Sequence, residues 1–189
     1  WTQFQGQENQ VLDPMGGASN RYIWGYGSGN DEIMRFDATD DCGSGFGVGK
    51  QRNPNYDVPA AITAYSGNLY ILSEDGTISS VDPNDAGTIG TSLGSTATGF
   101  TSDLDGLAID SNGVFYLANS DSEAVARTQG STTITANPRG LAYDTVNDHF
   151  YILVNGSGGN DRLIVTDTSL TQVGASIDVN TDDAEAIAY

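Results

Sequence analysis

The chain has 189 residues, enough for one domain with a substantial hydrophobic core. It carries 25 acidic and 7 basic residues, which give a formal net charge of −18 at pH 7. This charge disfavours binding to nucleic acid or to an anionic membrane, and no stretch approaches the ~20 consecutive apolar residues of a membrane-spanning helix.

A short apolar and aromatic segment recurs four times along the chain. Its copies are RYIW (21–24), LYIL (69–72), FYLA (115–118) and FYIL (150–153). About ten residues before most copies stands a corner that begins with Asp or Asn and ends with Gly or Ala, and a fifth corner lies near the end of the sequence. The five corners are 13–16, 57–60, 103–106, 137–140 and 183–186.

Successive corners are separated by a length typical of one β-propeller blade, and helical periodicity is absent. We therefore predict an all-β fold, a β-propeller of four recognisable blades plus the start of a fifth, in one domain over 1–189. The predicted blades are 11–54, 55–100, 101–135 and 136–180, and 181–189 is an extra inner strand. The repeat fits either a four-bladed ring or a portion of a larger propeller.

Each blade is predicted to contain four short strands bounded by turn signals such as Asp75-Gly76. The first blade has strands at 15–18, 22–26, 32–36 and 46–51. The second has 61–65, 69–73, 77–81 and 88–93. The third has 106–110, 114–118, 124–127 and 132–135. The fourth has 140–144, 149–154, 162–167 and 171–177.

The innermost strands are predicted from GLAI (106–109) and GLAY (140–143), where small residues let backbones approach closely. The last residues restart this inner motif and exceed what four blades need. They can belong to a larger propeller, displace the weak strand at 15–18, or add to a neighbouring subunit. The predicted assembly residues are Glu185, Ala186, Ile187, Ala188 and Tyr189.

The run 103–117, with its echoes at 137–152 and 183–189, resembles secreted β-propellers. The most similar are the NHL-repeat, gluconolactonase-like and SdiA-regulated (phytase-esterase-like) families. This motif is structural and is shared by enzymes, binding modules and scaffolds. Such families usually have six or more blades, and the resemblance implies a metal in the channel of some members.

Carboxylates near the corners are predicted to point towards one mouth of the channel, where a hard cation such as Ca²⁺ relieves their repulsion. The predicted ligands are Asp57, Asp103, Asp105, Asp183 and Glu185. Two observations weigh against a metal. Pro59 and Arg139 take the third corner position in two units, and an Asx residue at a corner also caps its own turn.

Other signals for chemistry are sparse. The single histidine, His149, starts a strand and has no evident partner in the sequence, and no Gly-x-Ser-x-Gly elbow occurs. Cys42 is the only cysteine, so it is either inert or forms an intermolecular disulfide. Asn155 heads an Asn-Gly-Ser glycosylation tripeptide.

The sequence favours a secreted, non-catalytic propeller that acts as an extracellular structural, adhesive or self-assembling protein, a homo-oligomer or polymer. The first residue is Trp1, which suggests a processed product. One alternative is a calcium-dependent hydrolase or lactonase that uses Asp103, Asp105 and Glu185. A second is a module that binds glycans or peptides through aromatic residues such as Trp1, Trp24 and Tyr26.

Overall fold

A computed structural model describes residues 11–12, 22–27, 32–37, 49–52, 59–66, 68–81, 92–95, 102, 104–128, 130–133, 137–156, 159–180, 184 and 187. Within these residues the secondary structure is entirely β, and none of them forms a helix long and apolar enough to cross a membrane. The strands are β1 (Val11–Leu12), β2 (Tyr22–Gly27), β3 (Glu32–Asp37), β4 (Gly49–Arg52), β5 (Pro59–Tyr65), β6 (Asn68–Ser73), β7 (Thr77–Val81), β8 (Ser92–Ser95), β9 (Leu104–Ile109), β10 (Phe115–Asn119), β11 (Ala124–Arg127), β12 (Gly130–Thr133), β13 (Pro138–Asp144), β14 (His149–Val154), β15 (Arg162–Asp167) and β16 (Ile177–Asp178).

The strands form four antiparallel sheets of four strands each, and each sheet is a simple meander in chain order. The first blade is β1–β4, the second β5–β8, the third β9–β12 and the fourth β13–β16. Strands β5, β9 and β13 lie side by side, so they are the inner strands of consecutive blades. This arrangement confirms the predicted propeller architecture and its succession of four blades.

The three inner strands share one irregularity at their first residues. The register with the next strand shifts between Pro59 and Ala61, between Gly106 and Leu104, and between Pro138 and Gly140. Each shift leaves one bulged residue, which bends the strand and increases its twist. The bulge therefore turns the chain into the blade at an equivalent point in each repeat.

Apolar side chains fill the spaces between successive blades. Ala61, Leu72 and Ile78 of the second blade pack against Leu107 and Leu117 of the third. The opposite side of the third blade packs against the fourth in the same manner, and the rings of Tyr116 and Phe150 meet there with their centroids 4.1 Å apart. The blades are thus held together mainly by burial of alternating strand residues.

The structure corrects two predicted strands. The inner strand of the first blade is β1, which pairs Val11 with Trp24, whereas the sequence predicted 15–18, and those residues lie outside the described part of the chain. The outer strand of the fourth blade is interrupted. Gln172 forms a single bridge to Thr166, the backbone of Gly174 has a φ of 80°, and pairing resumes only at β16.

Both ends of the row of blades are open within the described strands. The first blade contacts the second through β1 and β2, which lie against β5. In this part of the chain, no extensive contact joins the first blade to β13 of the fourth. The described residues therefore show a row of four blades and no closed four-bladed ring.

Candidate functional site

The bulged residues mark the channel end where the sequence placed a metal site. They are Ala60, Asp105 and Arg139, which occupy equivalent register positions in three blades. The predicted equivalence of Pro59 with Arg139 is wrong, because Pro59 precedes the bulge and pairs with Ser73. Of these three bulged residues only Asp105 was a predicted ligand, and the basic Arg139 occupies the equivalent position in the fourth blade.

Asp105 is the one predicted calcium ligand among the described residues. It is half-buried, and its Oδ2 accepts a hydrogen bond of 2.9 Å from the backbone N–H of Ser120. This bond fixes the turn between β10 and β11. Asp57, Asp103, Asp183 and Glu185 lie outside the described residues, and within those residues no three metal-ligating side chains are grouped for an ion.

Two buried oxygen atoms at the same end have no hydrogen-bond partner in the structure. They are Oγ of Ser73, at the end of β6, and Oδ1 of Asn137, just before β13. Such oxygens are suitable acceptors for water or ligands for a hard cation. They were not singled out in the sequence, because Ser and Asn are common in turns and nothing in the sequence indicates their burial.

The carboxylates at the opposite end of the inner strands build turns. Asp110, only 2% exposed, accepts hydrogen bonds at Oδ1 from the backbone N–H groups of Asn112 and Val114. Asp144, only 1% exposed, accepts at Oδ1 from Val146 and Asn147. These bonds define Asx-type turns between the first and second strands of the third and fourth blades.

A chain of polar contacts crosses three blades at this end. The hydroxyl of Tyr65 donates to the backbone oxygen of Ser111 over 3.2 Å. The hydroxyl of Ser111 in turn lies 3.5 Å from Oδ1 of Asp148, which also accepts a short hydrogen bond from Tyr143. Burial, followed by the bond to Asp148, raises the pKa of Tyr143. These contacts tie together the turns of the second, third and fourth blades.

His149 has partners that the sequence did not reveal. It lies directly opposite Asp144 on β13 and Asp167 on β15, so three titratable residues form one row across the sheet. Hydrogen bonds from Ser169 and Thr171 are the main reason that the pKa of Asp167 is lowered, and His149 makes the smallest contribution. The row arises from strand register, which residue order alone does not give.

The chain after the fourth blade is anchored by a buried carboxylate. Asp161 is 2% exposed, and its Oδ2 accepts a hydrogen bond of 2.7 Å from the backbone N–H of Ala184. Its backbone oxygen accepts another bond, from Val179. Of the predicted assembly residues, Ile187 is half-buried, and Glu185, Ala186, Ala188 and Tyr189 lie outside the described residues.

The glycosylation candidate Asn155 is half-buried at the start of the loop between β14 and β15. Its backbone N–H donates to the backbone oxygen of Asn137 over 2.8 Å. A Cβ atom at the next residue, Gly156, would lie 1.7 Å from the backbone oxygen of Asn160. This loop is therefore tightly folded, and glycosylation of Asn155 stays a prediction.

The fold is similar to that of several solved propellers. Virginiamycin B lyase from Staphylococcus aureus with quinupristin, a catalytically inactive form, matches 97% of this chain and 61% of its own, with a TM-score of 0.63 and 14% identity. A putative 6-phosphogluconolactonase from Bacteroides fragilis matches 92% of this chain and 55% of its own, with a TM-score of 0.63 and 14% identity. A chain of a nidogen/laminin complex matches 90% of this chain and 65% of its own, with a TM-score of 0.64 and 12% identity.

These similarities establish the class of protein, a β-propeller, and nothing finer. This chain spans 55–65% of the length of the three solved chains. No protein-family model matches the sequence, and no curated protein matches it significantly.

Proposed function

We propose that this chain is a secreted, non-catalytic β-propeller that serves as an extracellular structural or adhesive protein and assembles with copies of itself. The observation that carries the proposal is the use of its carboxylates. Asp75, Asp110, Asp144, Asp167 and Asp178 each accept a backbone N–H within their own turn. These acids stabilise turns of the fold, and in these roles they do not converge on a substrate.

The anchoring of Ala184 supports the assembly part of the proposal. Asp161 holds the chain beside the fourth blade at the point where the inner-strand motif restarts. We expect a strand that follows Ala184 to offer backbone donors and acceptors to another sheet. The net charge of −18 favours an extracellular or saline setting, since salt screens the repulsion between copies.

Light scattering and negative-stain electron microscopy on the purified chain test the proposal. We expect ordered filaments or closed multimers, and a monodisperse monomer at every protein concentration would overturn self-assembly. Removal of residues 184–189 should reduce assembly if the terminal strand takes part. Polymers that survive this removal would rule that strand out.

A calcium-dependent hydrolase or lactonase is the second candidate, because two buried oxygens without partners lie at the same end of the blades as Asp105. Two of the similar structures are named as a lyase and a putative lactonase. If the enzyme is present, Asp105→Asn should weaken saturable Ca²⁺ binding in calorimetry and lower turnover, whereas Asp148→Asn at the opposite end should leave both intact. Unchanged Ca²⁺ binding in Asp105→Asn would argue against the enzyme.

A further inference from the structure

We propose that Asn112 is a site of spontaneous deamidation, a reaction that converts its side-chain amide to a carboxylate and turns part of the product into an isoaspartyl linkage. The sequence offers two Asn-Gly pairs for this reaction, Asn112-Gly113 and Asn155-Gly156. The structure distinguishes them, because the first lies in an exposed turn and the second in a tightly packed loop. The inference is independent of the proposed self-assembly.

The reaction needs only the chain and water. The backbone nitrogen of Gly113 attacks Cγ of Asn112 and loses its proton, and the bond from Cγ to the side-chain nitrogen breaks with release of ammonia. Water then opens the resulting succinimide ring at either of its two carbonyl carbons. One opening gives aspartate, and the other gives isoaspartate, in which the main chain runs through Cβ and is longer by one carbon. A glycine after the asparagine favours ring closure, because it has no Cβ to obstruct the approach.

Asn112 lies in the turn between β9 and β10. Ser111 and Asn112 are exposed, so water reaches the side-chain amide. Gly113 has a φ of 80°, a conformation that residues with a side chain rarely adopt. The turn therefore requires glycine at this point and keeps the reactive pair together in an exposed position.

One hydrogen bond must open before the nitrogen can attack. The N–H of Gly113 donates to the backbone oxygen of Asp110 over 3.0 Å. Oδ1 of Asp110 accepts from the flanking N–H groups of Asn112 and Val114. A surface turn opens locally at a small free-energy cost compared with unfolding of the blades. Such opening lets the Gly113 nitrogen reach Cγ while the strands on either side stay paired.

The second pair is packed tightly against its surroundings. Asn155 is half-buried, and its N–H donates to the backbone oxygen of Asn137 over 2.8 Å. Gly156 is buried, and a Cβ added there would lie 1.7 Å from the backbone oxygen of Asn160. Rotation of the backbone at Gly156 therefore requires displacement of this neighbour. We expect this pair to react much more slowly in the folded protein.

Modification of Asn112 acts on contacts between blades. The backbone oxygen of the preceding residue, Ser111, accepts the hydroxyl of Tyr65 from the second blade over 3.2 Å, and the ring of Tyr65 lies beside Gly113. The hydroxyl of Ser111 lies 3.5 Å from Oδ1 of Asp148 in the fourth blade. An isoaspartyl residue lengthens the backbone of this turn, and its carboxylate adds a negative charge close to Asp148. The product should therefore loosen the links among the three blades.

Mass spectrometry of tryptic peptides tests the proposal on the intact, purified chain. Trypsin cuts after arginine and lysine, so Asn112 falls in peptide 53–127 and Asn155 in peptide 140–162. Fragmentation of each peptide locates the modified residue. During incubation of the folded protein in mildly alkaline buffer, we expect deamidation at Asn112 to be about tenfold faster or more than at Asn155. In guanidinium chloride the two rates should become similar, because each asparagine is then followed by an unrestrained glycine.

Two variants separate the reaction from its consequence. Asn112→Gln should remove the modification at this position, since its longer side chain closes the corresponding larger ring slowly, and should leave the rate at Asn155 unchanged. Freshly prepared Asn112→Asp carries the added charge without the longer backbone. After incubation, wild type should unfold at a lower urea concentration than Asn112→Gln, and fresh Asn112→Asp should show a smaller shift.

Equal rates at Asn112 and Asn155 in the folded chain would overturn the proposal, as would a faster reaction at Asn155. Modification of Asn112 in guanidinium chloride alone would also overturn it, because the turn would then protect the pair. Modified wild type that unfolds at the same urea concentration as Asn112→Gln would overturn the effect on the contacts between blades and leave the modification site standing.

Discussion

The hydroxyl of Tyr116 in the third blade donates a hydrogen bond to the backbone oxygen of Thr168 in the fourth blade over 2.8 Å. The same hydroxyl lies 3.2 Å from Oδ2 of Asp110, the carboxylate that organises the β9–β10 turn. Burial, and then the charge of Asp110, raises the pKa of Tyr116 to about 12. One neutral hydroxyl therefore links a turn of one blade to a turn of the next.

Replacing Tyr116 with Phe should lower the free energy of unfolding by about 1–2 kcal/mol, because a buried hydrogen bond between blades is lost. Tyr151→Phe is the matched control. Its residue is half-buried and its bond to Asp144 is 3.4 Å long, so we expect a loss below about 0.5 kcal/mol. Urea denaturation measures the free energy of unfolding of both variants. Equal losses in the two variants would contradict a stabilising hydrogen bond between blades at Tyr116.

Asp110→Ala should destabilise the protein by about 2–3 kcal/mol, since two backbone N–H groups lose their acceptor. Asp110→Asn retains an oxygen at Oδ1 and should cost about 1 kcal/mol. The difference between the two variants in thermal or urea unfolding isolates the turn bonds from the charge. If Asn costs as much as Ala, the charge rather than the turn geometry is what the fold requires.

Gly106→Ala should destabilise the packing of inner strands by about 1–3 kcal/mol. The added Cβ would lie 3.1 Å from both Cβ and N of Leu141 on β13, and 3.3 Å from Cβ of Ala118. Gly174→Ala is a useful comparison, because its Cβ would meet no atom within 4 Å and only its φ of 80° is unfavourable. Gly174→Ala should lower the free energy of unfolding by about 1 kcal/mol. If it lowers the free energy of unfolding more than Gly106→Ala does, the close-packing argument is refuted.

The contribution of Asp167 to the stability of the fold should depend on pH. The side-chain hydrogen bond from Ser169 is the main reason that the pKa of this carboxyl lies below its ordinary value of 3.8. A carboxyl whose pKa is lowered in the folded state stabilises the protein when the pH is above the ordinary pKa. This contribution is lost as the pH falls through the lowered pKa of the folded state. Asp167→Asn should therefore show a weaker loss of thermal stability than wild type between about pH 5 and pH 2.

Ser169→Ala provides the companion variant for that experiment. It removes the hydroxyl donor, which is 2.6 Å from Oδ1, and should raise the pKa of Asp167 towards its ordinary value. Carboxyl carbon NMR titration measures this shift directly. An unchanged pKa in Ser169→Ala would show that the backbone N–H groups alone are responsible.

Local sequence was sufficient for the succession of blades and for several strand limits. His149–Val154, Arg162–Asp167 and Ala124–Arg127 lie where the sequence placed them, because their short apolar segments are bounded by clear turn signals. The Asp75-Gly76 turn follows from the same logic, since the backbone of Gly76 has a φ of 83°. These features depend on residues close together in the chain.

Features that depend on register and packing needed the tertiary structure. The bulge that aligns Ala60 with Asp105 and Arg139, the row of His149 between two aspartates, and the burial of Asp161 each join residues that are distant in sequence. The interruption of the outer strand at Gly174 also lies in a segment whose sequence predicted a continuous strand. Sequence by itself determined a repeated antiparallel blade, because alternation and turn residues act locally. Only the packing of one blade on the next decided which apolar residues of each sheet are buried between blades, since a one-residue change of register moves every side chain to the other side of the sheet.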